Sequence, residues 1–196
     1  MNDSDTRKEL VFWSQDAKRA LRSWFSTLAG GNTFTTEGKV NGGAWRSELR
    51  RQEPPYGAMT CAGFDALRTR LKKVMRVNPE EELALAVFAG VAAHIKSDNA
   101  SKSFAAQLGE DKNGSPYLSS LRFERLQRAR TPEELFQQLV RAVGLRGDSG
   151  VNVVSLADGI ALWMQEHHTK NQDLQDNPFR RIHIRWANEY FSEIDK

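Results

Sequence analysis

Cysteine is nearly absent from this chain: Cys61 is the single one in 196 residues. A lone cysteine excludes a disulfide within the chain and any zinc site built on several thiolates. Its spacing with Phe64 and Leu71 sets it in an apolar row, as a core residue rather than a nucleophile. Long apolar runs are missing too. None approaches the ~20 residues that a membrane-spanning helix needs. The start, Met1-Asn2-Asp3-Ser4-Asp5, carries no basic segment followed by an apolar one. No secretory signal is therefore expected, and a cytoplasmic location is. Strand signals are scarce: Val151–Val154 reads as the only β-branched run, which argues against a sheet.

Catalytic motifs are also lacking. There is no GxxxxGK[ST] phosphate loop, no HExxH metal helix and no GxSxG elbow. His167 and His168 are neighbours, so on a helix they point about 100° apart and are badly placed to share a metal. His94 follows an apolar stretch and reads as a core or boundary histidine. His183 stands among arginines and reads as a phosphate contact or an ordinary surface residue. The acids Glu80-Glu81-Glu82 and Glu133-Glu134 open helices, where the helix dipole explains them without acid–base chemistry. These absences favour binding or scaffolding over catalysis, and no cofactor, metal ligand or catalytic residue is assigned.

What the chain has is helical periodicity. Over residues ~6–28, Leu10, Trp13, Ala17, Leu21, Trp24 and Leu28 fall at steps of three and four, and Gly30-Gly31 stops the row. Residues 29–42 read as loop. Gly43–Arg51 predicts a short helix ended by Pro54-Pro55, and Met59–Met75 a third. Asn78-Pro79 with three acids is a helix start. The stretch Leu83–Ala93 that follows is apolar all round, as expected of a central buried helix. Ser103–Leu108 suits one or two turns. Further helices are expected at ~117–129, from Thr131-Pro132 to ~143 with Gly144 and Gly147 beyond, over Val153–His167, and at ~179–193 after a polar linker, 169–178. The class is all-α, a helical bundle of about seven to nine helices. It is read as one all-helical unit over 1–196, with candidate lobes 1–96 and 116–196 joined by the polar segment 97–115.

Arginine is the other abundance. The net charge is only +3, but the sequence pI is about 9.1. From Lys39 to Arg76 there are nine Lys or Arg against three Asp or Glu. Three clusters fall on predicted helices: Arg46, Arg50 and Arg51; Arg122, Arg125, Arg128 and Arg130; Arg180, Arg181 and Arg185. Each is interleaved with an apolar stripe bearing an aromatic, namely Trp45, Phe123 or Trp186. Such helices can pack on one side and present guanidinium groups on the other, and the guanidinium fork matches phosphate. Arg46, Arg50, Arg51, Arg122, Arg125, Arg128, Arg181 and Arg185 are the candidate nucleic-acid-binding residues. Glu48, Glu124 and Glu189 are close enough in sequence to compete for them. Base stacking on Trp45, Trp186 or Phe123 is a rival use, although their apolar stripes favour core packing.

In order, the motifs resemble the CasB family, the small subunit of the type I-E CRISPR effector complex Cascade. Phe12-Trp13 comes first. Gly43-Ala44-Trp45-Arg46-Ser47-Glu48-Leu49-Arg50-Arg51 is similar to a G-x-x-x-A-x-L-R-R segment, with Ser47 where alanine is usual. Ala92-Ala93-His94 and Ser103–Leu108 follow. Ser119-Ser120-Leu121-Arg122-Phe123-Glu124-Arg125-Leu126 resembles S-x-L-R-F-x-R-L. Val151–Ala157 precedes Trp163, and Arg181–Tyr190 resembles an R-x-x-W-A-x-x-Y-F ending. The resemblance implies a non-catalytic subunit that dimerises along the complex, beside the CasC backbone and with the CasA large subunit. Its partners would be CRISPR RNA and target DNA in the R-loop, whose target-bound state it stabilises in antiviral defence. Alternatives are a purely protein-binding helical scaffold, a free-standing nucleic-acid-binding protein, and an enzyme with an unrecognised site.

Overall fold

The computed structural model describes residues 14–30, 32–35, 38–169 and 178–194, with the side chains of 32–35 and 38–39 left aside. Among them are nine α-helices: α1 (Gln15–Gly30), α2 (Gly42–Arg51), α3 (Ala62–Lys72), α4 (Pro79–Ala92), α5 (Phe104–Gly109), α6 (Ser120–Gln127), α7 (Pro132–Arg146), α8 (Val153–His168) and α9 (Ile182–Ile194). The fold is all-α. Local chemistry sets many of the helix starts. The Ala17 amide donates to Ser14 Oγ at 3.1 Å, and the Ala44 amide to Asn41 Oδ1 at 2.9 Å. At α4 the box is reciprocal: Glu81 N donates to Asn78 Oδ1, and Asn78 N to a Glu81 carboxylate oxygen. These contacts satisfy amides that the first helical turn leaves without partners.

The central element is α4. Every residue from Ala84 to Ala92 is buried, so the helix has no solvent stripe and neighbours must cover it all round. It packs on α3, α7 and α8. Trp24 of α1 lies with its ring centroid 5.9 Å from that of Phe88, and its indole N–H donates to Gly63 O of α3 at 2.8 Å. A buried indole needs such a partner. One apolar cluster runs from Ala17 in α1 to Tyr190 in α9. The last helix docks closely. A Cβ at Gly159 would stand 2.8 Å from Trp186 Cζ2, and one at Gly109 would meet the Tyr190 carbonyl oxygen. Tyr190 stacks on Phe123 at 3.8 Å between centroids and donates its hydroxyl to Leu118 O at 2.6 Å.

The polar stretch after α4 is hydrogen-bonded into the fold. Asn99 N donates to Val151 O and Val151 N to Ser97 O, each at 3.0 Å. The buried Gln107 side chain donates to Asn99 O and accepts from Asn152 N. Among the described residues no helix is long and apolar enough to cross a membrane.

Several expectations change at this level. Residues 29–42 are not a plain loop: α1 continues to Gly30, and an antiparallel hairpin pairs β1 (Asn32–Thr35) with β2 (Gly38–Asn41). Thr33, Phe34, Thr35 and Val40 carry the β propensity there, interrupted by the Gly and Asn that suggested a loop. Val151 makes only an isolated bridge to Asp98. The Met59–Met75 helix is split. Gly57–Thr60 forms one 3-10 turn, Cys61 is extended, and α3 begins at Ala62. The helix from Pro132 runs through Gly144 to Arg146. It stops where Gly147 adopts a φ of 49°, a left-handed value suited to glycine. The start expected for the first helix, with Phe12 and Trp13, and most of the 169–178 linker lie outside the described residues.

Candidate nucleic-acid interface

The three arginine clusters meet three different surroundings. On α2, Arg46 turns inward. Its Nε–H donates to Leu28 O at 3.3 Å and a terminal N–H to Ile95 O at 2.8 Å. Arg50 donates from Nε to Ala93 O at 2.8 Å. The Leu28 and Ala93 carbonyls lie at the C-terminal ends of α1 and α4, where the helix dipole is negative and carbonyls lack intrahelical donors, and Ile95 follows just beyond α4. Burial, and then the charge of Arg50, hold the Arg46 pKa below its usual value. His94 shares this corner; burial first, then Arg50 and Arg46, lower its pKa. Arg51 is exposed and has no acidic partner among the described residues.

On α6 the cluster divides. Arg128 pairs with Glu124 at 2.6 Å, one turn back on an exposed face. Arg122 and Arg125 point elsewhere. They line a cleft of about 430 Å³ between α6 and α7, and Arg141 of α7 joins them. Leu118 and Leu145 give it apolar walls, and Gln138 is the remaining polar side chain. No carboxylate lines it, and none of the three arginines has an acidic partner among the described residues.

Arg181, just before α9, and Arg185 on it are half-buried. Both act on Glu166 of α8, whose carboxylate accepts the Ile182 amide at 2.8 Å. Burial pushes the Glu166 pKa up; the Ile182 amide and then the charges of Arg181 and Arg185 oppose that shift. Arg181 Nε is itself buried without a hydrogen-bond partner in the structure. This cluster therefore stands beside the start of its own helix. Of the three competitors expected from sequence, only Glu124 is in an ion pair with a candidate arginine; the acid that faces α9 is Glu166.

The aromatics do not form an open platform. Trp186 is buried against Phe104 and Gly159, and Phe123 is buried under Tyr190. Trp45 is half-buried, its Cβ packed over Gly63. Sequence reasoning missed Arg141, which stands alone between Val140 and Ala142 and belongs to no cluster. Its only signal was its spacing from Gln138 and Leu145, at i+3 and i−4 on one face of α7. It also passed over Arg146, which is 2 % exposed. Arg146 donates to Gln107 O, Gly150 O and Glu110, and lies 4.2 Å above the Tyr117 ring. That arginine is spent inside the protein. Among the described residues no group of three or more His, Cys, Asp or Glu could hold a metal ion.

The family model described as CRISPR-associated protein Cse2 matches residues 45–191. The chain belongs to the CRISPR-associated Cse2 family, the CasB small subunits of type I-E Cascade. The match begins at Trp45, in α2, and spans all eight candidate arginines; α1 and the hairpin precede it. Searches of curated proteins and of solved structures returned no match.

Proposed function

We propose that this chain is the non-catalytic small subunit of a type I-E Cascade, acting as one all-helical unit in the cytoplasm. It binds nucleic acid by its phosphates and stabilises the target-bound R-loop. Family membership supports the Cascade assignment. The observation that carries the nucleic-acid reading is the pair Arg122 and Arg125, exposed on α6 and without an acidic partner among the described residues. Guide pairing already reads the target sequence, so the protein needs contacts that track backbone, not bases. Phosphate contacts of this kind position a strand and carry no sequence information. Arg51 offers a further contact on α2. Arg46, Arg50, Arg181 and Arg185 have neighbours within the protein and contribute with whatever N–H groups remain outward. CRISPR RNA, target DNA, the CasA and CasC subunits and a second copy of this chain are the proposed partners.

The test is a gel-shift titration of an R-loop mimic with the double variant Arg122→Glu/Arg125→Glu, with circular dichroism as the folding control. The reading expects intact helicity and weaker binding; unchanged affinity would remove its main support. A protein-binding scaffold is favoured by a different surface. A largely apolar groove of about 590 Å³ lies between α6 and α9, with Leu121 59 % and Phe191 47 % exposed. Under that reading the double variant binds Cascade subunits and nucleic acid as the parent does.

A further inference from the structure

We propose that the α6–α7 cleft is a seat for one stretch of phosphodiester backbone, with Arg141 as its third arm beside Arg122 and Arg125. The inference rests on the nucleic-acid reading above and adds to it a residue and a bounded site. Several arginines elsewhere in the molecule are neutralised locally: Arg22 by Asp98, Arg68 by Asp65, Arg128 by Glu124 and Arg146 by Glu110. Here three exposed arginines from two helices line one concave space of about 430 Å³, and no acid lines it. An anion seated there gains charge-assisted hydrogen bonds from the arms.

The arms are held on a rigid frame. Phe123 and Leu126 of α6, with Leu135 and Leu139 of α7, are buried in the core. The turn between the helices is fixed by Glu134 N donating to Thr131 Oγ1, and by Arg130 N donating to the Glu134 carboxylate. Arg141 is therefore held at the cleft that the α6 arginines also line. Shape argues for a chain rather than a free anion. The space is larger than one phosphate needs and falls within the ~300–1,000 Å³ of ordinary ligand pockets. Its apolar walls, Leu118 and Leu145, suit the sugar edge that flanks each phosphate. Gln138 is the one neutral hydrogen-bonding side chain there, so little in the cleft could read a base.

Gly144 gives a test that leaves every charge in place. It lines the cleft, and a Cβ added to it meets nothing within 4 Å. Gly144→Leu would fill the space with the three arginines still present, and it replaces a poor helix former with a good one. The experiment titrates fluorescent single-stranded and duplex oligonucleotides of equal length with the full chain and its variants, at several salt concentrations. Arg141→Gln is expected to weaken binding roughly tenfold, as loss of a charged hydrogen bond does. It should also reduce the slope of log affinity against log salt by about one. Gly144→Leu is expected to weaken binding with helicity and melting temperature preserved. Loss confined to one oligonucleotide form identifies that form as the ligand. If Arg122→Glu/Arg125→Glu weakens binding while Arg141→Gln and Gly144→Leu both leave it unchanged, the cleft is not the seat, although the nucleic-acid reading stands. If none of the variants alters binding, both fall.

Discussion

A guanidinium serves whatever acceptor reaches it first, and in this chain that acceptor differs from one arginine to the next. Arg46 closes carbonyls at Leu28 and Ile95. Arg46→Ala should therefore destabilise the fold by about 2 kcal/mol, the range for hydrogen bonds from a charged donor. Arg51→Glu and Arg125→Glu, on exposed positions, should stay within about 0.5 kcal/mol of the parent. Urea denaturation of the three variants checks the contrast. His94 reports on the same corner. Its folded pKa is depressed, by burial and then by Arg50 and Arg46, so the unfolded chain takes up the proton first. The stability that neutral His94 provides is fully present above the unfolded value of about 6.5 and is lost as pH falls from there through the lower folded value. An NMR titration should find His94 below the ordinary histidine range, and Arg50→Gln should move it upward. A His94 titration that ignores Arg50 would remove this charge coupling.

At the scale of elements, capping chemistry and close approaches decide where helices begin and how they dock. Asn78→Ala breaks the reciprocal box at α4 and should cost about 1 kcal/mol. Gly109→Ala sets a methyl group against the Tyr190 carbonyl. It should loosen α9 and lower stability by about 2 kcal/mol in a denaturant melt, as overpacked sites do. Much of this level was legible in the sequence, because its causes are local. Asn78-Pro79, Thr131-Pro132 and the all-apolar Leu83–Ala93 announce their helices through caps and periodicity. The hairpin at 32–41 was masked by its glycines and asparagines, and the break at Cys61 by an apolar spacing that runs on across it. The site was legible only in part. Arg122 and Arg125 were visible as a cluster, whereas Arg141 reaches them through the turn at Thr131 and the packing of α7 on α6. Glu166 reaches the α9 arginines only because α8 and α9 pack together. Contacts between distant segments leave no spacing in the chain to read.

At the scale of the molecule, a net charge of +3 hides an uneven surface. Acid–base pairs neutralise much of the charge, including Lys102 between Glu110 and Glu193 and Lys72 against Glu82. Three arginines without an acidic partner among the described residues line the α6–α7 cleft. Binding that depends on a few arginine–phosphate contacts weakens steeply with salt and is indifferent to sequence. Scrambled oligonucleotides should therefore bind as well as target sequences, and affinity should fall along a straight line in log salt. The most direct measurement is the dissociation rate of target DNA from complete Cascade carrying Arg122→Glu/Arg125→Glu, with assembly checked by gel filtration. Faster dissociation from a fully assembled complex is the predicted result. A dissociation rate equal to that of the parent complex would contradict the account.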